Sequence, residues 1–133
     1  MASHPFDDAL TLTPSDGGWR GHTSPAWANM VGPFGGVTAA VLLRAVESHP
    51  QRTGDPVALT VNFAAPVADG AFDVSARIVR TNRTNQHWLV ELVQNGEVKT
   101  NATAVFGLRH DTWSDTERPM PAAPAPEGIT PTG

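Results

Sequence analysis

The residues best placed for chemistry in this sequence are two adjacent glycines at the start of a predicted helix. The run Gly32-Pro33-Phe34-Gly35-Gly36 forms a tight entry, and about a dozen helix-forming residues follow it. The first free backbone N–H groups are therefore predicted at Gly35, Gly36 and Val37. These groups lie at the positive end of the helix dipole, which suits an anion or an oxyanion. The structural alternative is that the glycines only permit close packing at the helix entry.

Chemistry at this helix start also needs a group that activates or holds water. Glu47 is the one acid in the helix, but it lies eleven residues after Gly36, about 16 Å away at 1.5 Å per residue. Asn29 precedes the glycine turn and Asn62 falls in the next predicted strand. Either amide is predicted to hold a water or a carbonyl oxygen. The structural alternatives are a turn-capping role for Asn29 and a solvent-facing position for Asn62.

Several other kinds of site are excluded by what the sequence lacks. The absence of cysteine excludes disulfides and thiolate chemistry. The histidines show no metal-ligand spacing, so no metal site is predicted. No G-x-S-x-G elbow, G-x-G-x-x-G fingerprint or P-loop occurs. No cofactor is therefore expected.

Composition and charge narrow the class of protein further. The chain has 133 residues and a net charge of −4, without a basic run, which argues against nucleic-acid binding. Its first residues lack a basic region followed by an apolar run, so no secretion signal is predicted and the cytoplasm is the default location. The apolar helix, at roughly 18 Å, is far too short to span a membrane.

The elements that must position the glycines follow from periodicity. Residues 1–9 are expected to be a loose lead-in, and a short hairpin is predicted from strands at 10–13 and 19–23. After the helix, alternation of apolar residues predicts four antiparallel strands in sequential order, at 57–63, 72–78, 88–92 and 98–108. Asn95-Gly96 predicts a tight turn between the last two strands. The proline-rich residues 119–133 are expected to be a tail or linker, which leaves 1–118 as a single domain.

This order predicts an α+β fold in which the sheet surrounds the helix. Val37, Val41, Leu42 and Val46 belong to a helix that is apolar nearly all round and must be covered on most sides. The four-stranded part must present one apolar face. A curved antiparallel sheet wrapped around one long central helix satisfies both requirements, and this is the hotdog architecture.

Residues 19–127 resemble the thioesterase-like superfamily of hotdog proteins, of the acyl-CoA thioesterase II type. The matching motifs are the helix entry at 32–36, the strand 59–66 with sequence LTVNFAAP, the closing hairpin at 94–106 and the proline-rich segment 119–127. Family members are commonly double hotdogs, and this chain resembles the N-terminal unit. The family's catalytic Asp, Thr and Gln lie on the second unit and correspond to positions near 36–38, Pro56 and Val105 here, where no acid or amide stands.

The resemblance gives further residues an expected role with acyl-CoA. The thioester carbonyl would be held at Gly35-Gly36-Val37. Arginine forks match phosphates, so Arg80 and Arg83 are predicted to bind the CoA phosphates, or otherwise to be a solvated loop tip. The aromatic side chains predicted to line the acyl tunnel, with plain core packing as the alternative, are those of Trp27, Phe34 and Phe63.

Two functions remain open at this point. One is hydrolysis of acyl-CoA thioesters, which the helix entry favours. The other is a non-catalytic hotdog module that binds acyl thioesters or serves in assembly, which the missing acid favours. A hydratase of the same fold would need a paired Asp and His, which we do not find. Because two hotdogs normally share one continuous sheet, the chain is predicted to form a homodimer joined at the sheet edges.

Overall fold

The computed structural model describes residues 3–130, and its central element is the predicted helix, α2, at Gly35–Glu47. Phe34 caps the helix start without a side-chain hydrogen bond, and the N–H of Ser48 closes its end on Arg44. The helix ends there because proline follows at position 50 and cannot continue it. Its buried residues line one broad face: Val37, Thr38, Val41, Leu42, Ala45 and Val46.

A six-stranded antiparallel sheet in the order β1-β2-β6-β7-β8-β5 wraps around α2 and confirms the predicted α+β hotdog fold. The short strands β1 and β2 are Thr13–Ser15 and Gly18–His22. The long strands are β5 at Asp55–Phe63, β6 at Ala71–Thr81, β7 at Asn85–Gln94 and β8 at Glu97–Gly107. A separate two-stranded ribbon, β3 at Ala28–Asn29 and β4 at Gly32–Pro33, precedes the helix.

The predicted sequential order of the last four strands is wrong for β5. This strand pairs with β8, at the far edge of the sheet, and not with the following strand β6. The place beside β6 is taken by β2, whose Trp19 lies opposite Val74. Because the hairpins β6-β7 and β7-β8 occupy the middle of the sheet, the remaining edge at β8 is the position open to β5.

The predicted loose lead-in contains a short helix, α1, at Pro5–Ala9. Proline at its first position fixes a helical φ, and the ring nitrogen Nδ1 of His4 accepts the Phe6 N–H at 3.1 Å. The following strand begins at Thr13, later than predicted, and pairs with β2 as the expected hairpin. The Asn-Gly turn is confirmed, since Asn95 and its glycine neighbour both have positive φ.

The core lies between α2 and the inner face of the sheet. Trp88, Val90 and Leu92 of β7 are almost fully buried there. Because side chains alternate along a strand, the residues between them point to the outer face. Four residues of β8 share the inner face and are buried: Thr100, Ala102, Ala104 and Phe106.

Two buried glutamines at the ends of β7 hold the loops at the two ends of the helix. Gln86 accepts the Thr53 N–H and donates to the Gln51 carbonyl oxygen, beyond the end of α2. Gln94 accepts the Ala68 N–H at 2.9 Å and donates to the carbonyl oxygens of Ala68 and Ala71. The second loop, residues 64–70, lies next to the helix start and is therefore fixed from β7.

No described element covers one side of α2. Gly36, Arg44 and Glu47 are exposed, while Ala40 and Leu43 between them are half-buried. The exposed positions of the helix therefore include its first turn as well as its second half. Within residues 3–130, no helix has the length and apolarity needed to cross a membrane.

Residues 108–130 carry no strand and no α-helix. A 3-10 turn at Pro126–Gly128 is the regular element found in this stretch. Residues 131–133 of the predicted tail lie outside the described residues. The boundary between a domain at 1–118 and a tail stays a prediction.

Candidate functional site

The start of α2 offers two backbone donors, at Gly35 and Gly36. No described backbone carbonyl accepts either N–H, as expected for the first positions of a helix. The expectation of a third free donor at Val37 is wrong, because its N–H donates to the Phe34 carbonyl oxygen at 3.1 Å. The first turn tightens to this i to i−3 bond because Phe34 has no polar side chain to cap the helix. The donors for an oxyanion are therefore the two glycines.

Two phenyl rings flank these glycines. A Cβ built on Gly35 would lie 3.2 Å from the Phe63 ring, and one built on Gly36 would collide with the ring of Phe34. The absence of side chains at both positions is thus what lets the rings approach the helix start. Phe34 and Phe63 remain more than half exposed, at 54% and 58%.

A cavity of about 380 Å³ opens beside the helix start. Its walls come from β4, the first turn of α2, the end of β5, the loop that Gln94 fixes, and the inner face of β8. Two of its wall residues are threonines, Thr38 at 5% exposure and Thr100 at 0%. The remaining wall residues are Val31, Pro33, Gly35, Phe63, Ala64, Ala65, Pro66 and Val67. The walls therefore carry no charged or titratable side chain.

A much smaller, apolar cavity adjoins the first beneath the helix. Thr38 and Val67 line both cavities, and Trp27 and Phe72 close the inner one. Its volume is about 20 Å³, which is room for about one water molecule. In this conformation an acyl chain would fit the outer cavity but not the inner one. Of the three aromatics predicted to line a tunnel, Phe63 lines the outer cavity, Trp27 the inner one and Phe34 neither.

His22 also contributes to the wall of the inner cavity. Its Nδ1 lies 2.7 Å from the Thr23 carbonyl oxygen. Since a carbonyl oxygen only accepts, Nδ1 carries the hydrogen in this contact, and neutral His22 keeps a lone pair on Nε2. It is the imidazole among the described walls of the two cavities.

The two predicted amides do not meet the glycines. Asn29 lies in β3, and its Oδ1 accepts the Met30 N–H at 2.8 Å. Asn29 therefore has the turn-capping role given above as its structural alternative. Asn62 donates to Asn101 Oδ1 at 2.9 Å. That contact lies on the outer face of the sheet, because Asn101 alternates with the buried Thr100.

Arg80 and Arg83 lie at the opposite end of the sheet from the glycines. They flank the β6-β7 hairpin, whose neighbour Gln86 contacts the loop after the helix end. The span of β7 between Gln86 and Gln94 is about 27 Å at 3.4 Å per residue. Arg80 donates to Asn82 Oδ1 at 2.8 Å. Within a single chain, the guanidinium groups of Arg80 and Arg83 therefore lie far from the helix start.

No ionisable side chain lies among the described wall residues of the outer cavity. Among the described residues, no three metal-ligating side chains come together. The carboxyl of Glu97, at the β7-β8 turn, has its pKa lowered by a hydrogen bond from Lys99 Nζ at 2.6 Å and by the lysine's charge. That pair lies outside the walls of both cavities. The polarity of the site comes from backbone donors and hydroxyl groups.

Thr38 and Thr100 are the site residues that the sequence interpretation missed. A signal for Thr100 was present, since the inner positions of the last strand otherwise read Ala102, Ala104 and Phe106. A single polar residue in that row of small and apolar residues marks a position where packing alone does not decide the residue. Thr38 interrupts the apolar helix face in the same way.

Comparisons with known proteins agree with this fold. Residues 23–107 match the family described as acyl-CoA thioesterase N-terminal domain. No curated protein matches the chain significantly. A conserved hotdog-fold protein of unknown function from Alicyclobacillus acidocaldarius is 50% identical, with a TM-score of 0.90 over 97% of this chain and 49% of its own length.

Two more distant structures share the fold. The acyl-CoA thioesterase II TesB2 from Mycobacterium marinum is 23% identical, with a TM-score of 0.73 over 94% of this chain and 47% of its own. A protein from Bacillus halodurans, solved with CoA, is 19% identical, with a TM-score of 0.63 over 78% of this chain and 77% of its own. The chain thus spans about half the length of the Alicyclobacillus and Mycobacterium proteins.

Proposed function

This chain belongs to the family of acyl-CoA thioesterase N-terminal domains, and on that premise we propose that it binds acyl-CoA thioesters at the start of α2. The thioester carbonyl accepts a hydrogen bond from the Gly36 N–H, with Gly35 beside it. The acyl group lies in the cavity of about 380 Å³. The observation that carries the proposal is the pair of N–H groups without a described backbone acceptor, one at Gly35 in the wall of this mostly apolar cavity and one at the adjacent Gly36.

The same geometry would also favour one step of thioester hydrolysis, the attack on the carbonyl carbon. Attack on a thioester carbonyl places negative charge on its oxygen, and the helix dipole adds to the donors in stabilising that charge. In other enzymes, one such donor contributes about 100- to 1,000-fold to the rate. Gly36 is exposed, so an arriving thioester reaches its N–H without moving the helix.

A second candidate function is a binding or assembly module without hydrolytic activity. The observation in its favour is that the described wall residues of the outer cavity include no carboxylate, imidazole or amide side chain. Threonine hydroxyls can orient a water but are poor bases at neutral pH. We therefore propose that the chain alone hydrolyses acyl-CoA slowly or not at all, and that its main contribution is to hold the thioester.

We also propose that the functional assembly contains a second hotdog unit, in the simplest case another copy of this chain. Within residues 3–130, the long edge strand β5 has one free side, and Ala40 and Leu43 leave a partly apolar helix face uncovered. Exposed apolar side chains gather at the β3-β4 turn, where Met30 is 95% and Val31 is 72% exposed. Surfaces of this kind mark interfaces in soluble proteins. A partner would also bring a second set of side chains toward the helix start.

The test compares Gly36→Pro with Gly36→Ala. Both variants carry a Cβ that meets the Phe34 ring, but proline alone removes the N–H. Proline is tolerated in a first helical turn, and no described backbone carbonyl loses a partner. We expect the alanine variant to bind an acyl-CoA about as well as the parent, and the proline variant to bind it about fivefold more weakly, since one hydrogen bond is lost.

Folding is checked first, by circular dichroism and thermal denaturation of both variants. Any measurable hydrolysis should fall about 100-fold or more in Gly36→Pro relative to Gly36→Ala. Equal affinity and equal rate in two folded variants would reject the placement of the carbonyl at Gly36.

A further inference from the structure

The hydroxyl of Thr100 is buried without a partner. Its side chain is 0% exposed, and the Oγ1 atom makes no hydrogen bond within the described residues. Such a hydroxyl has lost its contacts with water and gained none in return, which is unfavourable for folding. Valine has the same shape as threonine and would fill this position without that cost. The hydroxyl therefore needs an explanation outside the packing of the core.

The same threonine contributes to the wall of the outer cavity. Thr38, 5% exposed, lies in the wall of that cavity too. Apart from backbone, these are the polar groups in the described wall, since the other side chains there are apolar. A hydroxyl both donates and accepts. The pair therefore matches a neutral oxygen atom better than a charged group or a hydrocarbon.

We propose that Thr38 and Thr100 form a polar subsite that binds an oxygen atom carried by the acyl group itself. The inference rests on the proposed function and specifies its substrate class as acyl thioesters with a hydroxyl or keto oxygen. The thioester carbonyl is a different atom, because it lies at the exposed Gly36, whereas both threonines are buried. A ligand that reaches from the helix start to Thr100 must carry its second oxygen on the acyl part.

An oxygen-bearing acyl group is favoured at this subsite for a physical reason. The Thr100 hydroxyl makes no hydrogen bond within the described residues, and a hydrocarbon chain in the cavity leaves it unpaired. An acyl oxygen that reaches Thr100 supplies the missing partner, and satisfying a buried polar group is favourable.

The experiment measures the affinities of the full chain for butyryl-CoA and 3-hydroxybutyryl-CoA by calorimetry. These ligands differ by one oxygen atom. We expect the hydroxylated ligand to bind about tenfold more tightly, in the range for satisfying one buried hydroxyl. Thr100→Val should abolish the difference, and Thr38→Val should reduce it. Thr100→Ser, which keeps the hydroxyl, should retain the preference, as should Thr103→Val, at an exposed position of the same strand.

The outcomes separate this inference from the function on which it rests. Equal affinity of the parent chain for the two ligands would overturn the subsite and leave acyl-CoA binding intact. A preference for the hydroxylated ligand that persists in Thr100→Val would also overturn the subsite, because another group would then bind the acyl oxygen. Failure of the folded parent to bind either ligand would reject the proposed function together with the subsite.

Discussion

Replacing Thr100 by valine should make the ligand-free protein more stable. The hydroxyl is buried without a hydrogen bond, and leaving such a group unpaired costs about 1–3 kcal/mol. Valine removes the cost and adds a buried methyl group, worth up to about 0.8 kcal/mol. Some of this gain is lost because a methyl group is larger than a hydroxyl and must fit a packed core. We therefore expect a net stabilisation of about 1–2 kcal/mol.

The assay is thermal denaturation followed by circular dichroism. For 133 residues, an unfolding entropy of about 2.1 cal/mol/K per residue gives about 0.28 kcal/mol/K for the whole chain. A gain of about 1–2 kcal/mol then corresponds to a rise in Tm of about 4–7 °C. Thr100→Ser keeps the hydroxyl but loses a buried methyl group, so its Tm should fall by about 2–5 °C. Thr103→Val, on the outer face, should change Tm by less than about 2 °C.

A Tm of Thr100→Val clearly below that of the parent would refute this reasoning. It would mean that the hydroxyl makes a stabilising hydrogen bond, and the case for a ligand at Thr100 would lose its basis. Stabilisation by valine would show instead that threonine is unfavourable for folding at this position. Residues that cost stability are concentrated at functional sites.

Three further predictions concern the loop beside the site, the assembly and the chemistry. Gln94→Leu should lower Tm by about 10 °C, because it leaves the Ala68 N–H and the Ala68 and Ala71 carbonyls without their partner, at a cost of about 3 kcal/mol. A Tm within about 2 °C of the parent would contradict the anchoring role of Gln94. Sedimentation velocity should give a dimer that buries more than about 1,000 Å², whereas a single species of 14.1 kDa would reject it. Steady-state assays with acyl-CoA should give a turnover below about 10 s⁻¹, the middle of the usual enzyme range, and a faster rate would require a base not yet identified.

Much of the fold could be predicted because its signals are local. The apolar run from Val37 to Val46 identifies a buried helix, and alternation identifies the long strands. Asn95-Gly96 adopts positive φ at both residues, as its turn chemistry requires. The position of β5 beside β8 could not be predicted in this way, because strand pairing depends on which neighbour already occupies each edge.

The candidate site likewise has features that the sequence predicts and features that depend on the tertiary structure. The glycine pair at the helix start was evident from the sequence, since only the order of residues is needed to place N–H groups at a helix terminus. The bond from Val37 to Phe34, the outward direction of Asn62 and the distance of Arg80 from the glycines each depend on tertiary geometry.

The sequence by itself determined the helix, its glycine entry, the strand periodicity and the family resemblance, because each of these is carried by neighbouring residues. Only the tertiary structure decided that Thr38 and Thr100 share one cavity. They are sixty-two residues apart in the chain, and no local pattern links a helical residue to a strand residue at that separation. Wrapping the sheet around the helix brings them together and shields the Thr100 hydroxyl from solvent.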